Sequence, residues 1–216
     1  MSPIARAPRA PRSTSGTRLL ALLALAACAQ PAIKTSNAHY DAGPPAAKKV
    51  LVLHGTRAGS TAEVADFIGK KLAESGWSVD VEGVEAARDL GGYQAVVIGS
   101  AIRNGSVLPE IRDFVKARSA ELQRIPVAYF VVCMTMREDT PENRAKADAY
   151  LDPLRSEVKP VEVGLFAGKV DYAQLDARSR LMARVVNLPA GDFRDWTAIA
   201  AWADALAARF SVPGPL

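Results

Sequence analysis

Two cysteines and two histidines are all that the 216 residues contain, and their scarcity excludes several kinds of chemistry. Cys28 and Cys133 cannot build a disulfide framework or a cysteine-based zinc centre. His39 and His54 are too few for a histidine-rich metal site, so they read as structural or solvated residues and no metal is expected. The apolar run at 19–27 is too short to cross a bilayer as a permanent helix. Neither G-x-x-x-x-G-K-[ST] nor G-x-G-x-x-G occurs anywhere in the chain. No internal repeat is visible. What remains is 49% hydrophobic and 23% charged, the composition of one ordinary globular domain.

The N-terminus stands apart. Residues 1–18 carry Arg6, Arg9, Arg12 and Arg18 and no acid; an apolar run then ends in Leu25, Ala26, Ala27 and Cys28. A basic stretch before a short apolar one has the order of a secretory signal. The last four residues resemble a bacterial lipobox, which implies that Cys28 is acylated and becomes the first residue of a membrane-anchored lipoprotein on the extracytoplasmic or periplasmic side. The signal is then 1–27, and 28–47 (CAQPAIKTSNAHYDAGPPAA) reads as a flexible tether. Four of the 27 basic residues lie in this leader, leaving 23 against 23 acidic ones. The net charge of +4 is therefore a property of the leader, and no nucleic-acid partner is expected.

From residue 48 the pattern becomes regular. Strands are expected at 48–54, 77–84 (near a sheet edge), 93–101, 125–134 and 161–168. Helices are expected at 60–76, 106–123, 140–157 (broken near Pro153) and 192–210, the last with a stripe through Trp196, Ile199, Trp202 and Leu206. Alternating strands and helices specify an α/β fold, doubly wound, with helices on both faces of a five-stranded parallel sheet in the order 2-1-3-4-5. The domain runs from 48 to 210, with a tail at 211–216. Between the last strand and the last helix, Leu175, Leu181, Met182, Val185, Val186 and Leu188 alternate with Arg178, Arg180 and Arg184. Such a segment suits a membrane surface, a partner groove or a covering helix over the sheet.

In such a sheet, ligands sit beyond the carboxyl ends of the strands, beside the first turn. That turn holds Thr56, Arg57, Ala58, Gly59, Ser60 and Thr61. It sets three hydroxyls and a run of N–H groups at a helix N-terminus, which binds an anion. Gly59 lets the backbone approach it closely. Without the P-loop lysine the ligand is no nucleoside triphosphate; without G-x-G-x-x-G it is no dinucleotide. A phosphate monoester held by neutral donors remains, and FMN meets that description. The plain alternative is a serine capping an ordinary helix. Two more loops fall at the same sheet edge: Ser100, Ala101, Ile102, Arg103, Asn104 and Gly105 after the third strand, and Met134, Thr135, Met136 and Arg137 after the fourth.

The turn resembles the flavodoxin T-x-T-G-x-T, with Ala58 in place of the middle threonine. Together GTRAGST, VVIGSAIRNG, the loop after the fourth strand and DW-x-x-I in the closing helix resemble the menaquinone-dependent protoporphyrinogen oxidase branch of flavodoxin-like proteins, over residues 48–210. The resemblance implies that the two loops embrace the isoalloxazine ring of FMN, and that a reduced small molecule passes electrons to a quinone at a membrane. It also implies a porphyrin made inside the cell, whereas the leader implies export. A response regulator shares the strand order, but it needs an aspartate at the end of the third strand and an acidic pair after the first; Ser100, Gly55 and Thr56 stand there. Neither loop carries an aromatic residue. Ile102, Arg103, Met134 and Met136 are left to wall the ring, which favours a flavin that meets its substrate directly over a pure electron carrier. Arg103 and Arg137 would stabilise the anionic reduced ring. No titratable residue stands out as a catalytic base.

Overall fold

The computed structural model describes residues 37–41, 48–87, 89–185 and 187–211. The leader, Cys28, Val186, most of the tether and the tail beyond Ser211 lie outside these residues. The chain joins the sheet earlier than expected. Ala38–Tyr40 (β1), read above as tether, runs antiparallel to Ser78–Gly83 and closes that edge. The cause is tertiary. The Tyr40 hydroxyl donates to Asp66, His39 Nδ1 lies 2.6 Å from Asp80, and the Tyr40 ring sits against Gly69, a helical position where a Cβ would also crowd Val81.

Lys49–Gly55 (β2) is the apolar strand, and α1 (Ser60–Glu74) follows at once. Next come β3 (Ser78–Gly83), β4 (Ala95–Arg103), and a two-residue β5 (Ser106–Val107) paired back on β4. Helices α2 (Pro109–Ala117) and α3 (Ser119–Leu122) replace the single helix expected at 106–123. Pro109 fixes the start at the first helical position, where its missing N–H costs nothing. β6 (Val127–Cys133) leads through a 3-10 turn, Met134–Arg137, into α4 (Pro141–Ala149) and α5 (Asp152–Arg155). The break falls at Tyr150 and Leu151 because the Pro153 ring cannot follow a helical residue 149. β7 (Glu162–Ala167) is the last long strand. The inserted segment is a short hairpin, β8 (Lys169–Val170) with β9 (Gly191–Asp192), carrying α6 (Ala177–Val185) between them. α7 (Trp196–Ser211) closes the chain. It starts four residues later than expected because the Asp195 carboxylate accepts from the N–H groups of Thr197 and Ala198.

The five long strands lie parallel in the order β3-β2-β4-β6-β7, the expected 2-1-3-4-5. Alternation along β2 divides the core. Val50 and Val52 face α1 and α7 with Ile68, Leu72, Ile199 and Leu206. Leu51 and Leu53 face the other layer with Ile111, Val115, Leu122 and Leu154. Each of these large side chains contributes about 1.5–3 kcal/mol by leaving water.

Candidate functional site

At the carboxyl end of β2 the chain turns through 56–61 into α1. Gly59 caps the helix with φ +84° and its backbone offers no side-chain cap; open space surrounds the point where a Cβ would stand. The first helical bond runs from Glu63 N–H to the Gly59 carbonyl. The N–H groups of Ser60, Thr61 and Ala62 therefore have no acceptor within the helix and stand at its positive end. The simple reading of Ser60 as the helix cap fails, since Gly59 holds that place. The buried Thr56 hydroxyl accepts the Gly59 N–H at 3.0 Å, which bends the turn into shape. Ser60 Oγ accepts the Lys169 N–H at 3.1 Å, leaving its own proton to donate. Thr61 is buried. Ala58 is half-buried, and Arg57 is paired through both terminal guanidinium nitrogens to Glu110 at 2.6 and 2.9 Å.

The loop after β4 is tighter than the sequence suggested. Asn104 and Gly105 both take positive φ, +51° and +72°, and make a two-residue hairpin that pairs Arg103 with Ser106. Asn-Gly between two extended stretches is the sequence signal for this turn. The Ser100 hydroxyl is consumed inside the hairpin: it donates to the Ala101 carbonyl at 2.8 Å and accepts the Leu108 N–H at 3.0 Å. Ala101 and Ile102 are half-buried. Arg103 reaches across to the inserted segment, donating to Asp176 at 2.9 Å and to the Ser179 hydroxyl. The Ser179 hydroxyl and N–H, with the Arg103 guanidinium, hold the Asp176 carboxyl well below the usual carboxylate range.

In the turn after β6, Met134 and Thr135 are half-buried, while Met136 is buried with Cys133, Ala147 and Ala167. Arg137 is exposed and paired with Glu138 at 2.7 Å. Burial pushes the Cys133 thiol up, so the one cysteine among the described residues serves packing. Thus the turn at 56–61 presents backbone donors outward, but Ser100, Arg103, Met136 and Arg137 are engaged elsewhere in this conformation.

Three residues to which the sequence reading gave no place in the site sit at this end of the sheet. Tyr150, from the end of α4, spans the two loops: its hydroxyl lies 3.2 Å from Thr135 Oγ1, and its ring edge would be 3.9 Å from a Cβ at Gly105. Gly168 brings the end of β7 against the other strands; a Cβ there would stand 3.3 Å from Val132, 3.7 Å from Ser60 Oγ and 3.9 Å from Met134 Sδ. His54, one residue before the end of β2, is buried with neither ring nitrogen hydrogen-bonded. Burial pushes its pKa down to about 4, against a smaller upward pull from Asp66. No sequence spacing announces any of the three, since each acts through a neighbour remote in the chain.

A doubly wound α/β sheet whose switch point carries a glycine-capped helix start, with first N–H groups that have no acceptor in the helix, has the arrangement of a flavin mononucleotide-binding fold. The residues present fit FMN, because backbone N–H groups and a donating serine suit a phosphate monoester. The chain belongs to the family described as "Flavodoxin domain", whose sequence pattern matches residues 51–197. It is similar to the protoporphyrinogen IX dehydrogenase [quinone] of Escherichia coli K12, at 28% identity over 173 residues, covering 74% of this chain and 94% of that one. The protein of the same name from Leishmania major matches at 28% over 174 residues, covering 74% and 75%. Among solved structures, a flavodoxin from the domain Archaea superimposes with a TM-score of 0.49 at 15% identity, over 76% of this chain and 99% of that one.

Proposed function

We propose that the protein is an FMN-dependent oxidoreductase that passes electrons from a reduced small molecule to a quinone at a membrane surface, with protoporphyrinogen IX as the first substrate to try. The observation that carries this reading is the likeness to proteins named for that activity, which covers 94% of the Escherichia coli relative. Bound FMN supplies hydride and electron transfer. The chain's own groups would bind and orient it: the N–H groups at the start of α1 and the Ser60 hydroxyl would take the phosphate, and Ile102, Met134 and Tyr150 would hold the ring. Exposed Arg103 and Arg137 lie on these loops, and no acid occurs within 100–107 or 134–137.

The membrane part of the reading has two supports. Leu181, Met182 and Val185 on α6 are 62%, 59% and 67% exposed, with exposed Arg178 and Arg184 beside them. The second support is the leader, which ends in Leu-Ala-Ala-Cys at Cys28, the position a lipobox would acylate. Mass spectrometry of the native N-terminus tests the anchor, and an unmodified Met1 sinks it.

Tyr150 across the loops, together with the pairing of Arg103 and Arg137, favours a second reading as an electron carrier between proteins. A redox titration of the FMN-loaded protein followed by turnover with protoporphyrinogen and menaquinone separates the two. Reduction in one two-electron step with rapid reoxidation by quinone supports the enzyme. Two resolved one-electron steps without turnover support the carrier.

A further inference from the structure

A phosphate monoester carries a charge of about −1.5 to −2 at neutral pH. The positive end of a helix offsets roughly half a unit of it. The turn at 56–61 therefore leaves most of the ligand's charge unbalanced unless a side chain adds a cation. Glu63, an acid in the first turn of α1, enlarges the deficit. Arg57, Arg194 and Lys169 border this turn, and they are not equally committed. Arg57 is held by both carboxylate oxygens of Glu110, at 2.6 and 2.9 Å. The Arg194 side chain is 4% exposed, gripped by both oxygens of Asp192 at 2.8 and 2.6 Å, bonded to Glu63 at 2.6 Å and laid 4.4 Å over the Trp196 ring. It neutralises Glu63 and is fixed in place.

Lys169 differs from both. Its side chain is 35% exposed, and its ion pair with Glu63 is long, 3.7 Å. Glu63 keeps Arg194 when that pair opens, so releasing the ammonium costs little. The backbone fixes where Lys169 stands. Its N–H donates to Ser60 Oγ at 3.1 Å, at the first helical position, and the β8–β9 hairpin sets it opposite Asp192. The same Ser60 hydroxyl keeps its own proton for the phosphate. Lys169 thus stands one hydroxyl away from the ligand, and its flexible four-carbon stem carries three donors across that gap.

We propose that Lys169 is the cation of the phosphate site: its ammonium leaves Glu63 for the FMN phosphate. The chain has no lysine in the turn and supplies one from a hairpin 109 positions beyond Ser60. Glu63 and Asp192, the acids beside the ammonium, stay neutralised by Arg194. Lys169 is then a specificity residue, selecting FMN over riboflavin, which has the same ring and ribityl chain without the phosphate. The proposal rests on the phosphate lying at 56–61.

The test compares FMN and riboflavin binding to the full chain freed of flavin, read by quenching of flavin fluorescence from about 0.05 to about 0.5 M NaCl. The parent should prefer FMN, and the preference should narrow as salt rises. Lys169→Met keeps the stem and removes the charge. It should weaken FMN at least about tenfold at low salt, leave riboflavin within about twofold and flatten the salt dependence. Lys169→Arg should restore most of the FMN affinity. Thermal unfolding of Lys169→Met should match the parent, because the lost pair is long and exposed. A parent that binds neither flavin, or both equally, removes the phosphate site and the proposal with it. A parent that prefers FMN, with Lys169→Met weakening both flavins alike or neither, overturns the proposal alone.

Discussion

The turn after β2 and the turn after β4 look alike in sequence and behave in opposite ways. Both follow an apolar strand, both are rich in Gly, Ser and Thr or Asn, and their strands are neighbours, with His54 opposite Gly99 and Gly55 opposite Ser100. In the first, Thr56 spends its oxygen on shaping the loop, and the N–H groups that follow are left facing outward. In the second, the Ser100 hydroxyl spends both its proton and a lone pair on its own hairpin, and Asn104 with Gly105 closes the chain back on β4. The lesson is one of hydrogen-bond accounting. A hydroxyl near a strand end predicts a ligand only when the backbone has not already claimed it.

The strand residues at the roots of the two turns offer the strongest way to sharpen this contrast. His54 is buried and unpartnered, and its pKa falls from 6.5 to about 4 on folding. The unfolded chain then binds the proton more readily, so stability is full above about 6.5, declines as the pH falls, and has lost about 3 kcal/mol below about 4. Urea unfolding at neutral pH and near about pH 4 should show most of that loss in the parent and little of it in His54→Leu. Equal losses in both proteins would assign acid sensitivity to other groups.

Next in size is Gly59→Val. Nothing crowds a side chain there, so any effect comes from φ +84°, which a β-branched residue resists. FMN affinity, read by quenching of flavin fluorescence, should fall about a hundredfold. Gly105→Ala, also at positive φ, should cost stability and leave affinity within about twofold, because its turn only closes a hairpin.

A hydroxyl pair follows. Ser100→Ala strands the Leu108 N–H and should cost about 1–3 kcal/mol of stability with FMN affinity unchanged. Ser60→Ala should do the reverse, weakening FMN by about tenfold or more, the value of a hydrogen bond to a charged group, with a small effect on unfolding. If Ser100→Ala also weakens FMN, the contrast between the turns fails. The smallest effect belongs to Arg103→Ala. Its ion pair is exposed and contributes about 0–1 kcal/mol, yet it ties β4 to the start of α6. Trypsin should cut faster at Arg178 and Arg184 in the variant while the unfolding midpoint barely moves.

The strand order and the glycine-led turn from β2 into α1 were legible in the sequence. Each rests on local information: alternation, glycine at a required φ, and apolar runs of strand length. The ends of helices were less legible, because caps such as Asp195 and breaks such as the one before Pro153 are decided within one or two residues. The loops were least legible. Ser100, Arg103, Met136 and Arg137 were expected to face one ligand, and each has a partner or a packing place elsewhere. Asn104 and Gly105 could have given the hairpin away; Tyr150 could not, since its place beside Thr135 follows from where α4 ends.

By itself the sequence determined that an apolar strand would deliver a glycine-shaped helix start to the end of a parallel sheet, because backbone φ and side-chain periodicity are properties of neighbouring residues. The tertiary structure alone decided that Ala38–Tyr40 is a strand, that Lys169 leans on Ser60, and that His54 is sealed without a partner. Those outcomes depend on which surfaces meet after folding, between residues up to 109 positions apart, and no local pattern encodes such a meeting.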